Sequence, residues 1–431
     1  MREYYLEKLS GAEIESLVAR PSSDFGEIIP KVRDVLNGVK ADGDKALARY
    51  SRDFDGVEPR GFLVTEKEIA EAESLVSSDV KHALRVAAAN IEAFHKLQLP
   101  QSVEVETTEG ILCSLVWRPT RRVGLYVPGG SAPLASTVLM LAIPARLAGC
   151  REIILCTPPA KAGPPSSEIL YAAALCGVEK VFTVGGAQAI AAMGIGTETV
   201  PKVDKIFGPG NRFVAAAKAL ISQPPYNVAV DMLAGPSELV VIADDNANPR
   251  WVAADLLSQA EHGADSQVVL ITTSAAVAER VRRELGRQFE AIPRGGTIAQ
   301  ALDKSFVIVA PNPLKAIEFV NLYAPEHLIL AVREAEQLAH AVDNAGSVFI
   351  GPLSSVVFGD YASGTNHSLP TGGTAAATGC LTVRDFMKPV AFQSVTELGL
   401  RSIAETVKRL ARAEGLEAHA RAVEVREGDY D

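Results

Sequence analysis

The segment Tyr323-Ala-Pro325-Glu326-His327 places a carboxylate and an imidazole side by side, directly after a proline. Histidine, with a pKa near neutrality, is a suitable base for the proton of an alcohol, and a neighbouring carboxylate can activate water. Adjacent residues of an extended segment point to opposite sides, so the pair can serve one substrate only if the backbone bends there. The residues suit an acid–base site, and a purely structural pair is the alternative.

Potential metal ligands occur in three other segments. Gln259 and His262 are three residues apart in a predicted helix, so both lie on one face. Such side chains can bind a borderline metal such as Zn²⁺, but two ligands do not complete a site, and a solvated or core histidine is the alternative. Asp360 offers an oxygen ligand in a long loop rich in glycine, serine and threonine, where His367 could equally cap local backbone. His419 lies in the C-terminal segment, where a histidine is usually on the surface.

Three glycine loops follow predicted strands: Gly129-Gly130, Gly185-Gly186 and Gly208-Pro209-Gly210. Backbone amides at a helix N-terminus, approached closely only where there is no Cβ, suit a pyrophosphate. None of the loops fits GxGxxG with an acidic residue about 20 positions further on. Together they favour a nucleotide site no more than they favour plain strand-to-helix turns.

The elements that must position these residues follow from periodicity. Up to about residue 100, apolar residues recur at helical spacing, as in Ile28, Val32 and Val35, which predicts a helical scaffold. From Arg122 onward, short β-branched runs end in glycine and lead into alanine-rich helical stretches. Strands that alternate with helices imply βαβ units and parallel sheets covered on both faces. The pattern recurs after Glu238, so two α/β domains are expected.

Two further segments lie outside this alternation. The stretch 228–239 has turn chemistry in Gly235 and Pro236, suits a crossing between domains, and makes Ser237 a cleft residue. From about residue 385 the sequence returns to helical spacing, with an apolar stripe at Leu400, Ile403, Val407 and Leu410. That stripe needs a surface to pack on, in the same chain or in a partner subunit.

Composition narrows the class of protein. The chain has 431 residues with 48% hydrophobic and 22% charged residues, which is ordinary for globular proteins. A formal charge of −10 would repel phosphate backbones and anionic lipids, so neither nucleic acid nor membrane is an expected partner. The acidic start and the lack of a long apolar run predict a cytoplasmic protein. Its five scattered cysteines are expected to be reduced.

Taken together and in order, the motifs resemble the histidinol dehydrogenases over nearly the whole chain. The blocks that carry the resemblance are VGLYVPGGSAPL, FTVGGAQAIAA, FGPGN, DMLAGPSE, LLSQAEHG, YAPEHL, FGDYASGTNHSLPTGG and EGLEAHA. The resemblance implies oxidation of L-histidinol to L-histidine through L-histidinaldehyde, the last two steps of histidine biosynthesis. It implies one Zn²⁺ per subunit and two molecules of NAD used in turn.

The resemblance also implies roles for particular residues. Glu326 and His327 would be the acid–base pair. Zinc would be bound by Gln259, His262, Asp360 and His419, and NAD would contact Tyr126, Gln188 and Asn211. The substrate would contact Ser237, His327, Glu414 and the four zinc ligands. Two departures, Gly263 and Ser368, stand where an acidic and an apolar residue are expected, which puts the packing of the adjoining loops in doubt.

The expected architecture comprises two Rossmann-like, incomplete parallel-sheet domains with helical extensions at both ends. Residues 1–25 would form the N-terminal extension, and residues 26–125 with 238–380 a first α/β domain that holds the metal and catalytic residues. Residues 126–237 would form the NAD-binding domain. Residues 381–431 would form a helical tail exchanged in a homodimer with shared active sites.

Two rival functions remain open at the level of sequence. A paralogue with the same machinery could oxidise another small diol or amino alcohol. Glu414 argues against it, because a carboxylate near the substrate suits a cationic amine or imidazole. A metal-binding protein without catalysis would be expected to lack one of the six catalytic and metal-ligating residues, all of which are present.

Overall fold

The computed structural model describes residues 1–20, 26–129, 134–160, 165–233, 235–292 and 295–428. Parts of several predicted features lie outside these ranges. They are residues 21–25 of the predicted N-terminal extension, Gly130 and 131–133 of the first glycine loop, Ala234 of the domain crossing, and 429–431 of the tail.

The strands are numbered in chain order. They are β1 (Arg2–Tyr5), β2 (Val103–Thr108), β3 (Ile111–Pro119), β4 (Arg122–Tyr126), β5 (Glu152–Thr157), β6 (Lys180–Thr183), β7 (Lys205–Phe207), β8 (Ala229–Val230), β9 (Glu238–Ala243), β10 (Gln267–Thr272), β11 (Phe306–Val309), β12 (His327–Ala331), β13 (Ser347–Ile350) and β14 (Met387–Val395).

The α-helices follow the same order. They are α1 (Gly11–Val18), α2 (Ile28–Asp42), α3 (Asp44–Tyr50), α4 (Glu66–Leu75), α5 (Ser78–Lys96), α6 (Ala135–Leu147), α7 (Ser167–Leu175), α8 (Gly186–Ile195), α9 (Arg212–Ile221), α10 (Pro249–Ala260), α11 (Ala275–Phe289), α12 (Gly295–Asp303), α13 (Pro313–Tyr323), α14 (Ala335–Ala339), α15 (Val356–Tyr361), α16 (Glu397–Ala413) and α17 (Glu417–Gly428). No helix among the described residues combines the length and apolarity needed to cross a bilayer.

The larger sheet has six parallel strands in the order β1-β11-β10-β9-β12-β13. Its central strand β9 is buried along its whole length, and alternate residues face opposite sides. Leu239 packs in the cluster that contains residues of α10 and α11, whereas Val240 packs in the cluster that contains residues of α13. Burial on both faces explains why this strand is an unbroken apolar run after its first residue, Glu238.

The second sheet has five parallel strands in the order β6-β5-β4-β7-β8. Residues of α5, α6 and α7 pack on one face, in the cluster with Leu125, and residues of α2, α8 and α9 pack on the other, in the cluster with Tyr126. The predicted α/β class with two parallel-sheet units is thereby confirmed.

One predicted grouping is wrong. Residues 26–125 were expected to form one domain with residues 238–380. Instead, the helices α2 to α5 pack on the five-stranded sheet, and β4 is one of the strands of that sheet. Val32 of α2 shares a cluster with Ile190 of α8, and Ile91 of α5 shares one with Val138 of α6. The apolar stripes of these helices carry no information about which sheet they will cover, because both sheets offer the same kind of surface.

Both predicted helical extensions also contain strands. The N-terminal segment begins with β1, which pairs in parallel with β11 at the edge of the six-stranded sheet. The C-terminal segment begins with β14, which pairs over nine residues with β3 in an antiparallel sheet of order β14-β3-β2. Each strand exists because of a partner far away in sequence, so local periodicity could not reveal it.

A buried ion pair fixes the crossing from the five-stranded to the six-stranded sheet. Lys218 of α9 is 1% exposed, and its ammonium donates to Asp231 Oδ1 at 2.5 Å and to the carbonyl of Gly208 at 2.5 Å. The other oxygen of Asp231 accepts from the backbone N–H of Gly208 at 2.7 Å. The pair thus ties the loop after β7 to the chain that leaves β8.

We expect Asp231→Asn to lower the free energy of unfolding by about 3–5 kcal/mol, because it leaves the Lys218 ammonium buried without its counter-charge. The double variant Lys218→Met/Asp231→Asn should recover most of this loss. Unfolding in urea measures both. The control is Lys315→Met, which breaks an exposed pair with Glu318 and should cost under about 1 kcal/mol. Equal losses for Asp231→Asn and the control would contradict the prediction.

Candidate active site

A cavity of about 320 Å³ lies between the two sheets. Seven residues to which the sequence analysis assigned a role in the site line this cavity: Asn211, Ser237, Gln259, His262, Glu326, His327 and Asp360. We call this space the active-site cavity. It lies at the amino ends of β9 and β12, and it reaches the loop that follows the carboxyl end of β7. Ligands of open α/β sheets usually bind at carboxyl ends, so only the five-stranded sheet follows that rule here.

The pair Glu326–His327 enters the cavity through a sharp turn. The helix α13 ends at Tyr323, and Ala324 adopts a left-handed conformation with φ +47° before Pro325 and Glu326 lead into β12. This bend is what allows two adjacent side chains, Glu326 and His327, to reach the same cavity. Both side chains are buried, and His327 Nδ1 lies 3.5 Å from Glu326 Oε2.

The backbone of Glu238 holds both members of the pair. Its N–H donates to Glu326 Oε2 at 2.8 Å, and its carbonyl accepts from His327 Nδ1 at 3.1 Å. Because a carbonyl can only accept, Nδ1 carries the proton in this contact. The other ring nitrogen, Nε2, faces the cavity side, 3.5 Å from Asp360 Oδ1.

The site couples the charges of these groups. Burial alone would lower the pKa of His327, but the carboxylates of Glu326 and Asp360 raise it to about 10. Burial likewise opposes ionisation of Asp360, and His327 reverses this effect and lowers the pKa of that carboxyl. The two carboxylates therefore favour the protonated imidazole, and a cation bound to Asp360 would weaken this effect and favour the neutral imidazole, which can act as a base.

Gln259 and His262 approach the cavity at the C-terminal end of α10. The helix ends at Ala260, earlier than predicted, and a tight turn with the His262 N–H on the Gln259 carbonyl at 3.2 Å still brings both residues to the cavity. Gln259 is 1% exposed, and no described residue is hydrogen-bonded to either of its amide atoms. His262 Nδ1 donates to the Ser258 carbonyl at 3.2 Å, which leaves Nε2 as the nitrogen available for a ligand.

Asp360 reaches the same cavity from α15, and a buried contact links the two helices. The hydroxyl of Ser355, at the start of α15, donates to the carboxylate of Asp255 in α10. Among the described residues, no group of three or more His, Cys, Asp or Glu is placed to bind a metal ion. The predicted ligands that line this cavity are Gln259, His262 and Asp360, of which one is an amide.

The predicted NAD contacts lie along the carboxyl edge of the five-stranded sheet. Tyr126 ends β4, and its hydroxyl accepts from the backbone N–H of Gly186 at 3.0 Å. Gln188, in the first turn of α8, donates to Asp55 at 3.4 Å. Asn211 caps α9 by accepting from the N–H groups of Phe213 and Val214. Of the three, only Asn211 lines the active-site cavity.

The glycine loops at this edge have a structural reason as well. Gly208 has φ +122°, and a Cβ there would lie 2.0 Å from the carbonyl oxygen of Tyr126. A Cβ on Gly185 would lie 2.5 Å from Pro158. These glycines are needed for backbone packing, whether or not a pyrophosphate binds.

Two of the predicted site residues are not brought to the cavity. Glu414 follows α16 and His419 lies in α17, and both are exposed. Neither is among the described residues that line the cavity. Within a single chain the predicted set of ligands is therefore incomplete.

The structure adds residues that the sequence analysis did not assign. His367 lines the cavity, with Nδ1 donating to the Asp360 carbonyl at 2.9 Å and Nε2 lying 3.2 Å from Thr137 Oγ1. Glu238, whose backbone contacts Glu326 and His327, is the second such residue. Its position directly after Ser237 in the DMLAGPSE block was the only feature of the sequence that could have pointed to it. Of the two departures, Gly263 could take a Cβ in ordinary van der Waals contact, 3.8 Å from the Ser266 hydroxyl, whereas Ser368 lines the cavity with its hydroxyl buried.

The whole chain was compared with known proteins. The sequence model described as "Histidinol dehydrogenase" matches residues 18–427. The chain belongs to the histidinol dehydrogenase family. A histidinol dehydrogenase from Yersinia pestis is 50% identical over 421 residues, which cover 97% of this chain and 94% of that protein. One from Vibrio parahaemolyticus is 47% identical and covers 99% of this chain and 98% of that protein.

A solved structure agrees with this assignment to the histidinol dehydrogenase family. The crystal structure of histidinol dehydrogenase from Elizabethkingia anophelis has a TM-score of 0.96 and 46% identity, and the match covers 100% of this chain and 98% of that one. The resemblance stated from the motifs is confirmed, and so is the expectation that the chain is a dehydrogenase.

The Asp255–Ser355 contact generates a prediction about pH. Burial raises the pKa of Asp255 from its ordinary 3.8 to about 6, against the effect of the Ser355 hydroxyl. The folded chain therefore binds this proton more tightly than the unfolded chain, and the stabilisation is lost as pH rises from about 4 to about 6. We expect the stability of Asp255→Asn relative to the original chain to increase by up to about 3 kcal/mol across that range.

Thermal unfolding of both proteins between pH 4 and pH 7.5 measures this difference, and the subtraction removes the contribution of all other titrating groups. Asp303→Asn, at the end of α12, serves as the control. A difference for Asp255→Asn that does not change with pH would contradict the prediction.

Proposed function

We propose that the chain catalyses the zinc-dependent, four-electron oxidation of L-histidinol to L-histidine, with L-histidinaldehyde as the intermediate and two molecules of NAD consumed in turn. The observation that carries the proposal is the convergence of Glu326 and His327 with Gln259, His262 and Asp360 on one cavity that also reaches Asn211. One cavity therefore contains side chains suited to acid–base catalysis and side chains suited to metal binding, and it borders the edge of the five-stranded sheet where NAD is proposed to bind.

The residues fit a zinc ion. Gln259 buries an amide that lacks a hydrogen-bond partner among the described residues, His262 has its Nδ1 committed to a carbonyl, and Asp360 supplies a carboxylate. Zinc bound by these residues would hold the imidazole and amine of the substrate and so orient it. NAD would accept the hydride in each of the two oxidations.

The chain's own residues then account for the proton transfers. His327 removes the hydroxyl proton of histidinol as the hydride leaves the carbinol carbon, which gives the aldehyde. Glu326 takes a proton from water as the water oxygen adds to the aldehyde carbon, and the His327 imidazolium returns its proton to the carbonyl oxygen, which gives the gem-diol and restores the neutral imidazole. His327 removes a proton again as the second hydride leaves, which gives the acid. Retention of the aldehyde follows from the enclosure of both residues in the cavity.

We also propose that the active site is shared across a homodimer. Leu410 of α16 is 60% exposed and Val407 is 36% exposed in the single chain, and an apolar stripe of this kind is stabilised by burial. Glu414 and His419 follow that stripe directly. Two-fold symmetry would let His419 of the partner subunit complete the zinc site and the partner subunit's Glu414 contact the cationic substrate.

The test of the overall function is turnover. The purified chain should reduce two molecules of NAD for each L-histidinol, should lose activity on chelation, and should regain it with Zn²⁺. L-alaninol and another amino alcohol without an imidazole should be poor substrates. Faster turnover of those alcohols than of histidinol would favour the paralogue and overturn the assignment.

We expect Glu326→Gln to slow oxidation of L-histidinaldehyde at least tenfold more than oxidation of L-histidinol to the aldehyde, because only the former requires activated water. His327→Gln should slow both half-reactions. Single-turnover rates of NADH formation from each substrate measure the split. Equal losses in both half-reactions for Glu326→Gln would refute the division of roles.

We expect activity to reappear when two inactive variants, His419→Ala and His262→Ala, are mixed under conditions that permit subunit exchange. In a shared site, each mixed dimer holds one intact site and one doubly damaged site, so about a quarter of the original activity should return at statistical mixing. His340→Ala, which changes a histidine outside the cavity, is the activity control. Proven heterodimers without any recovery would assign each site to one chain.

A further inference from the structure

The Glu238 carboxylate is buried behind the catalytic pair and needs a counter-charge. Glu238 is 2% exposed, and the backbone of the same residue contacts both Glu326 and His327. Burial raises the pKa of the Glu238 carboxyl, and the nearby carboxylate of Glu326 acts in the same direction. A second negative charge at this place is therefore stable only if a cation lies close to it.

Arg20 supplies that cation from the N-terminal segment, 218 positions away in sequence. Its Nε donates to Glu238 Oε1 at 2.8 Å and its Nη2 donates to Oε2 at 2.9 Å, so the two side chains form a bidentate pair. The Arg20 side chain is 14% exposed. Glu238 Oε1 also accepts from the backbone N–H of Gly372 at 3.0 Å, which ties in the loop that lines the cavity through Thr371.

The same guanidinium contacts the turn that leads into the catalytic pair. It stacks on the ring of Tyr323, with 3.7 Å between the guanidinium carbon and the ring centroid, and Nη2 reaches the carbonyl of Ala324 at 3.4 Å. Ala324 is the left-handed residue at the end of α13. A left-handed alanine is held in place only by its surroundings. Arg20 therefore contacts the turn that precedes Glu326. It also binds the side chain of Glu238, the residue whose backbone is hydrogen-bonded to Glu326 and His327.

We propose that Arg20 is a positioning residue for the reaction, which fixes the geometry of Glu326 and His327 through Glu238 and the Ala324 turn. The inference rests on the proposed function of that pair. Lysine cannot replace arginine in this role, because a single ammonium group cannot form the bidentate hydrogen bonds with the Glu238 carboxylate and also stack on the Tyr323 ring.

The experiment compares Arg20→Lys and Arg20→Met with the original chain. Displacement of catalytic groups by about 1 Å lowers rates about 100-fold, so kcat should fall about 10- to 100-fold in both half-reactions. KM for histidinol and the zinc content should stay within about twofold of the original, since Gln259, His262 and Asp360 do not contact Arg20. Arg20→Ala should regain part of its kcat when guanidinium ion is added at millimolar concentration.

The matched control is Arg282→Met, which breaks the pair between Arg282 and Glu3 at 2.8 Å. That pair also tethers the N-terminal segment, but far from the cavity. Its kcat should be unchanged even if thermal stability falls, and guanidinium should not stimulate it.

If Arg20→Met does not fold, the double variant Arg20→Met/Glu238→Gln, which buries no unpaired charge, takes its place together with Arg20→Lys. Folded, zinc-loaded Arg20 variants with the original kcat and a lower melting temperature would overturn the positioning role, while histidinol turnover by the original chain would still stand. An original chain that fails to oxidise histidinol would instead overturn the proposed function.

Discussion

The arrangement of the site depends on the backbone of one residue, Glu238, at the first position of β9. Its N–H and carbonyl hold Glu326 and His327, which open the neighbouring strand β12, in the parallel register that pairs His327 with Leu239. The positions of Glu326 and His327 are therefore set by the backbone of the sheet, which the proposed role of Arg20 supports through the Glu238 side chain. Sites built on rigid elements keep their geometry better than sites on loops.

The position of the cavity at the amino ends of β9 and β12 follows from the same constraint. Because β9 runs away from the cavity, the helix α10 that follows it runs back, and its C-terminal end delivers Gln259 and His262. The five-stranded sheet presents its carboxyl edge from the other side, with Asn211 in the loop after β7. The residues proposed for proton transfer and metal binding thus face, across one cavity, the sheet edge proposed for the dinucleotide.

Buried charge is concentrated where the two sheets meet. The pair Lys218–Asp231 holds the crossing between the sheets, and the pair Arg20–Glu238 lies behind the catalytic residues. In each pair both partners also form hydrogen bonds with nearby backbone groups, which helps a buried ion pair to be tolerated. Such pairs specify the relative placement of segments far apart in sequence more strictly than apolar packing does, because a misplaced partner leaves a charge unpaired.

The sequence by itself determined the parallel α/β class and the family. It also indicated seven of the residues that line the cavity, because strand-to-helix alternation and ordered motifs are local patterns. It did not determine which sheet the helices of 26–125 cover, because an amphipathic stripe fits either sheet. Nor did it reveal β1 and β14, whose strand conformation depends on pairing with distant residues. Only the tertiary structure brought Arg20 to Glu238 and left His419 outside its own chain's cavity. Contacts between residues hundreds of positions apart are decided by packing and charge neutralisation, and no local spacing encodes them.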